Sequence, residues 1–434
     1  MHRAMVVLAG LLAGVSASAQ SGAGNDYSPY SVYGVGNIQH PGSAYNMGMG
    51  GVGIATRNKR FVNYLNPASA TARDSLSFMA DFGLSGRASI YRKENIKSAN
   101  NLFNINNFVL SYPLWPNTAM MVGIMPYSST GYSFTYIEQD KDMIGVTGPQ
   151  AYSATGAGGL YQFFAGGAAT FWKRLSVGAQ YIFYFGEIDK TVNLSFSNAA
   201  FRSIQSGHIL QLRGSTAKFG LQYDQPLGGP VVATVGATYK LKAGMRGHTT
   251  DYAYATLSSL TDTLRNKEVV LGKDSPLQFG DELGVGVSLR GGDRWMAEIN
   301  YLRSNWNTSG LDAVNGFSNV SAYKFSAAAG QSFRAGFEFT PNRNDIRYFL
   351  RRCTYRGGVY YDQSFYRLDG KPVDSYGITL GATIPVFRGY NGISFALDLG
   401  RRGTANNGMI RENYIGFHIG FNIFDIWFQK PRYE

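Results

Sequence analysis

Leu175, Val177, Ala179, Tyr181, Phe183 and Phe185 occupy alternate positions of one stretch, interleaved with Ser176, Gly178 and Gln180. A period of two puts successive side chains on opposite faces of an extended strand, so the apolar surface of such a chain is built from strands. The pattern recurs. Trp295, Ala297, Ile299 and Tyr301 alternate with Glu298 and Asn300, and Phe333, Ala335, Phe337 and Phe339 with Arg334, Gly336 and Glu338. Tyr376, Ile378, Leu380, Ala382 and Ile384 repeat it, as do Ile393, Phe395, Leu397 and Leu399 beside Ser394, Asp398 and Gly400. Ile415, Phe417, Ile419, Phe421 and Ile423 form the last row, opposite Tyr414, Gly416, His418 and Gly420.

A half-buried sandwich strand alternates in the same way. Here glycine is concentrated on the polar face, where the charges Arg334, Glu338 and Asp398 also fall. Aromatic residues stand near strand ends (Trp172, Trp295, Tyr376, Tyr414 and Trp427), as they do in the girdles of membrane barrels. Charged residues make up 16% of the chain, against about 25% in soluble domains. The 54 Gly, 29 Tyr and 28 Phe suit strands and disfavour helices. After the first twenty residues no apolar run reaches 18, so bilayer crossing is open only to a closed β-barrel. The expected fold is all-β, a transmembrane antiparallel barrel over residues 73–434.

Residues 1–19 read as a signal peptide. Arg3 gives a positive start, residues 4–15 an apolar core, and Ala17-Ser18-Ala19 a small-residue cleavage site before Gln20. Tight connections at 171–175, 291–294 and 388–391 read as periplasmic turns. Polar stretches at 93–105, 138–155, 191–214, 249–278 and 306–324 read as extracellular loops. The length beyond residue 72 accommodates twelve to sixteen strands, with an even number expected.

Residues 20–72 lack alternation and read as a separate element. They carry Ser28-Pro29-Tyr30-Ser31, then Gly48, Gly50, Gly51 and Gly53 within a small-residue run, then Asn66-Pro67-Ala68. This arrangement resembles the N-terminal hatch of the FadL-type outer-membrane transporters. The stretch 121–127, with Gly123 and Pro126, is similar to the third-strand region of that family. Likeness to Bacteroidetes barrels of this type extends to Tyr355-Arg356-Gly357-Gly358-Val359-Tyr360-Tyr361 and to Asp425-Ile426-Trp427-Phe428. The resemblance implies fourteen strands, a hatch in the lumen and passage of small hydrophobic molecules across the outer membrane of a Gram-negative bacterium. It also implies a lateral opening near Gly123, Pro126 and Gly131. Tyr414, Gly416, Ile419 and Phe421 are similar to the terminal signal read by the barrel-assembly machinery, although thirteen residues follow Phe421. Some barrels of this type serve protein-assembly or secretion complexes, so a non-transporting subunit is the alternative. The expected partners are outer-membrane lipids, the assembly machinery during insertion, a hydrophobic ligand and complex partners.

Chemistry finds little support. Gly48-x-Gly50-Gly51-x-Gly53 does not follow a strand and open a helix, as a dinucleotide fingerprint must. The single Cys353 excludes an intrachain disulfide and a Cys/His zinc cluster. His418 with Ser394 or Asp398 is a conceivable hydrolytic set, but a polar lumen histidine is the plainer reading. No cofactor, metal or nucleic acid is expected. The basic pairs Arg351-Arg352 and Arg401-Arg402 and the run Arg57-Asn58-Lys59-Arg60 read as solvated turns or contacts to anionic headgroups.

Overall fold

The computed structural model describes residues 26–73, 77–137, 141–198, 200–257, 260–272, 275, 277–312, 323–386, 391–405 and 409–426. The signal peptide, Trp427 and the turn at 388–390 lie outside them.

Fourteen antiparallel strands form a closed ring. In chain order they are β1 (Ser77–Lys93), β2 (Ile96–Pro113), β3 (Thr118–Ser129, resuming at Tyr132–Ile137), β4 (Gln150–Phe171) and β5 (Leu175–Phe196). Next come β6 (Ser203–Gly228), β7 (Val231–Lys240 and Ala243–Leu257) and β8 (Leu260–Leu271, Gln278–Phe279 and Asp281–Gly291). The ring continues through β9 (Trp295–Asn305), β10 (Phe325–Ala327 and Ala329–Phe339), β11 (Thr354–Leu368), β12 (Lys371–Pro385), β13 (Gly392–Arg402) and β14 (Arg411–Ile426). Each strand pairs with the next, and β14 closes on β1 from Ile426 opposite Ser77 to Arg411 opposite Arg92. A ring has no edge strand, which is the condition for burying backbone in lipid.

The alternation resolves into two faces as the sequence predicts. Ile299, Phe333, Phe337, Ile378, Leu380, Phe395, Ile415 and Ile423 are exposed on the outside. Glu298, Asn300, Arg334, Glu338, Arg356 and Thr379 are buried on the inside. An exposed apolar belt around a polar interior is the inverse of a soluble protein and matches a barrel solvated by lipid. Tyr414 departs from expectation. It lies on the inward face, buried, with its hydroxyl 2.5 Å from that of Tyr360, so it belongs to no outer girdle.

Several polar stretches read as loops are strand instead. β1 and β2 continue to a tight turn at Glu94-Asn95, and β5 and β6 to the connection at 197–202. β7 and β8 pair as far as Leu257 opposite Leu260. These outer halves meet water on both faces, which removes the apolar alternation that marks a strand within lipid.

Residues 26–72 lie inside the ring. Ala44 approaches Gly420, Gly48 approaches Gly381, Ile54 approaches Gly236 and Pro67 approaches Gly178, so the segment touches strands around the whole circumference.

Candidate functional site

The inner segment is ordered by short polar devices. Ser43 caps the single helical turn Ala44–Met47, and the Asn46 side chain accepts from Ser43 and donates to the Val52 carbonyl at 2.8 Å. The glycine run therefore follows a helical turn rather than a strand, unlike a nucleotide loop. Gly50 and Gly51 sit at φ of 70° and 77°, the left-handed region. A Cβ on Gly50 would stand 2.8 Å from the Val359 carbonyl oxygen and 2.9 Å from that of Ala335. Gly48 lies against Gly381, and Gly53 against Leu65 and Asn63. Glycines at 336, 358 and 381 on the wall let the two backbones meet.

Charged wall residues hold that backbone. Arg334 donates to the Gly50 carbonyl at 2.8 Å and pairs with Asp362 at 2.6 Å, while the Gly50 N–H donates to the Thr379 hydroxyl at 2.7 Å. Glu298 accepts from the Ala55 N–H at 2.8 Å and from the Thr56 hydroxyl. Gln222 donates to the Ile54 carbonyl at 2.9 Å. Arg57 corrects its sequence reading. It is buried, paired with Asp224 at 3.0 Å and bonded to Ser176 at 2.7 Å, not a solvated turn residue. Arg402 is likewise engaged, donating to Asn37 and to the Tyr366 hydroxyl. Asn66 caps the 3-10 turn Pro67–Thr71 and donates to the Ile54 carbonyl at 2.7 Å, with Pro67 packed on Gly178 and Gly220 and Ala68 buried.

β3 is interrupted. It pairs with β2 only from Ala119 opposite Pro113 to Ile124 opposite Phe108. Beyond Ile124 its β2 side is taken by the inner strand Asn37–Ile38, which pairs with Ser129 and Ser128. Gly123 lies in the paired part between Val109 and Phe164, and Pro126 at a register shift against β4. Gly131 accepts through its carbonyl from the Ser28 N–H at 2.8 Å and the Ser31 hydroxyl at 2.9 Å. The ladder between β2 and β3 is confined to Phe108–Pro113 of β2. Pro126 and Gly131 thus border the interruption, while Gly123 lies in the paired ladder beside it.

A cavity of about 430 Å³ lies between the inner segment and the wall beside this interruption. Met47, Tyr64, Leu65, Met125, Phe164 and Trp306 give it apolar walls. Lys218, Lys240, Glu282, Arg334, Asp362 and Asp398 also line it, with Lys240 and Glu282 paired at 3.4 Å. A mostly apolar pocket would suit a hydrophobic ligand; this lining is mixed and strongly charged. His40 borders it, and burial, reinforced by Arg334, lowers its pKa to about 4 and keeps it neutral. A second cavity of about 420 Å³ on the other side of the segment is ionic, bounded by Arg57, Arg60, Arg290, Arg343, Asp224 and Glu338.

The conceivable hydrolytic set does not assemble. Ser394 bonds Thr383 at 2.7 Å and Asp398 accepts from Tyr360 at 2.8 Å, and among the described residues neither is hydrogen-bonded to His418, which shares their inward face. Gly416 shares that inward face, and Phe421 points out beside Ile419. Gln222 and the Lys240–Glu282 pair were not singled out from sequence, and Glu298 was read only as a polar-face residue. The readable signal was a charge on the polar face of an alternating strand.

Solved structures with this architecture are toluene transporters and a related protein. TbuX of Ralstonia pickettii superposes with a TM-score of 0.57 at 16% identity, covering 88% of this chain and 98% of its own. The toluene transporter TodX of Pseudomonas putida gives 0.57 at 14%, covering 90% and 100%. A FadL homologue of Pseudomonas aeruginosa gives 0.54 at 10%, covering 91% and 100%. No curated protein matches. One protein-family model, described as BamG, matches residues 1–434.

Proposed function

The chain belongs to the BamG family, and from that premise we propose that it is an outer-membrane barrel acting as a non-transporting subunit of a larger assembly. It is exported with cleavage before Gln20, and residues 20–72 serve as its hatch. The observation that carries this reading is the charged stitching between inner segment and wall. Arg57 with Asp224, Arg334 with the Gly50 carbonyl and Glu298 with the Ala55 N–H tie the segment to separate strands. Moving it would break the Arg57–Asp224 pair and strip Arg334 and Glu298 of backbone partners, leaving buried charges uncompensated, which is unfavourable. The charges lining the cavity would also be desolvated by an apolar solute, which is unfavourable. A surface for a partner is present. Residues 260–270 are exposed and, among the described residues, their ladder runs along one edge only, so the other edge can accept an added strand. No catalytic chemistry is assigned.

The interruption of β3 favours a second reading, passage of small hydrophobic molecules through a lateral opening at Gly123, Pro126 and Gly131. The fold held in common with the toluene transporters supports it.

Two measurements separate them. Purification from native membranes in mild detergent should bring down a stoichiometric partner, and the barrel in liposomes should not speed entry of a monoaromatic probe. A barrel that elutes alone and admits the probe, with Gly50→Val blocking entry, would replace the first reading by the second.

A further inference from the structure

Residues 340–353, between β10 and β11, form the long connection at an end of the barrel where the others are short. Its neighbours there span only 114–117, 172–174, 229–230, 292–294 and 386–391. The connection carries four arginines, Arg343, Arg347, Arg351 and Arg352, against one acid, Asp345. Ile346 is 100% exposed and Leu350 70%, with Tyr348 and Phe349 also exposed.

Local bonds make this a built shape. One Asp345 carboxylate oxygen accepts from the Arg347 and Tyr348 N–H groups at 2.9 and 2.8 Å. The Asn342 N–H donates to the Arg351 carbonyl at 2.9 Å, closing the loop on the short helix Phe349–Arg352. Arg347 and Arg351 lie 5.3 and 4.7 Å from the Tyr348 ring centre, and Arg352 lies 5.1 Å from that of Phe349.

Its position selects the occupant. Phe339 and Tyr355 face outward across the β10–β11 pair, in the belt that meets lipid. The Tyr355 hydroxyl donates to the Leu350 carbonyl at 3.0 Å. The helix therefore lies over the lipid side of the wall rather than beneath the barrel mouth. Exposed Trp115 and Trp172 stand at the same end. Cationic and apolar side chains together at a bilayer rim suit anionic lipid, since aromatic residues anchor at the headgroup level and arginines attract its charge.

We propose that residues 340–353 bind anionic phospholipid of the adjoining leaflet. Ile346 and Leu350 enter the acyl boundary, while Arg347, Arg351 and Arg352 contact headgroup phosphates. The purified full chain in mild detergent tests this by native mass spectrometry, with phosphatidylglycerol, phosphatidylcholine and free glycerol phosphate as probes. The wild-type chain should retain phosphatidylglycerol over phosphatidylcholine and ignore glycerol phosphate. Arg347→Gln/Arg351→Gln/Arg352→Gln should lower that retention at least about ten-fold, given roughly five-fold per arginine at a membrane surface. The lysine triple should recover part of it. A heat-induced gel shift verifies that each variant is a folded barrel. Equal retention by the glutamine triple would overturn the proposal, and so would displacement of the lipid by glycerol phosphate. Loss of a co-purifying protein with lipid retention unchanged would assign the surface to a protein partner and overturn it as well.

Discussion

Gly50 combines two constraints, a left-handed backbone and wall carbonyls within 3 Å of where a side chain would start. Gly50→Val should therefore weaken packing of the inner segment by about 1–3 kcal/mol or more, read as a lower melting temperature with the gel shift retained. An unchanged melting temperature would mean that the segment is not seated there. Phe337 tests the opposite face, being 49% exposed on the belt. Phe337→Arg should cost about 2–4 kcal/mol if the site lies near the midplane, visible as reduced recovery in the membrane fraction. Normal insertion would reverse the assignment of faces. Glu298→Ala removes the acceptor of the buried Ala55 N–H and the Thr56 hydroxyl. Leaving those donors unpaired should cost about 1–3 kcal/mol, and amide exchange at Ala55 should accelerate while exchange in β9 stays slow. These facing residues were legible because period-two alternation is local. Their inner partners were not, because Gly50 and Thr379 are 329 residues apart.

At the scale of elements, strand existence could be read from alternation within lipid, and strand ends could not. Ile96 to Asn107 and Leu260–Leu271 carry polar residues on both faces and look like loops, yet the ladder continues through them. The interruption of β3 was hinted at by Gly123 and Pro126, but its replacement partner, Asn37–Ile38, lies outside any local pattern. The inner end of the segment carries a pH dependence. Burial raises the Asp26 pKa to about 6, with Asn37 and Arg87 opposing and Glu412 adding to the rise. A carboxyl with a raised folded pKa favours folding when protonated. That contribution is complete below the unfolded value near 4 and is lost as pH rises through about 6. Protection of residues 27–36, measured as exchange relative to the base-catalysed intrinsic rate at each pH, should thus be greater at pH 5 than at pH 7.5, and Asp26→Asn should flatten the difference. A dependence that survives this substitution would trace to another group.

For the whole molecule, the long-range register decides the order in which its parts become stable. The inner segment is near the start of the chain, but its partners run from Tyr91 to Asn422. Contacts of such sequence separation form slowly, because loop closure must come first. Until β14 meets β1, the ring is open on one side and the polar groups of the segment that face that seam, such as the Arg60 carbonyl bonded by Asn422, lack their partners. Zipping the seam therefore does more than close a sheet. It traps a segment that was already present, since the ring encloses that segment on every side. A chain whose seam closed first would have to admit its own first fifty residues through an opening at one end and desolvate their charges in transit. Closing the seam around a seated segment avoids that desolvation, so an inserted but hollow barrel is the costlier intermediate.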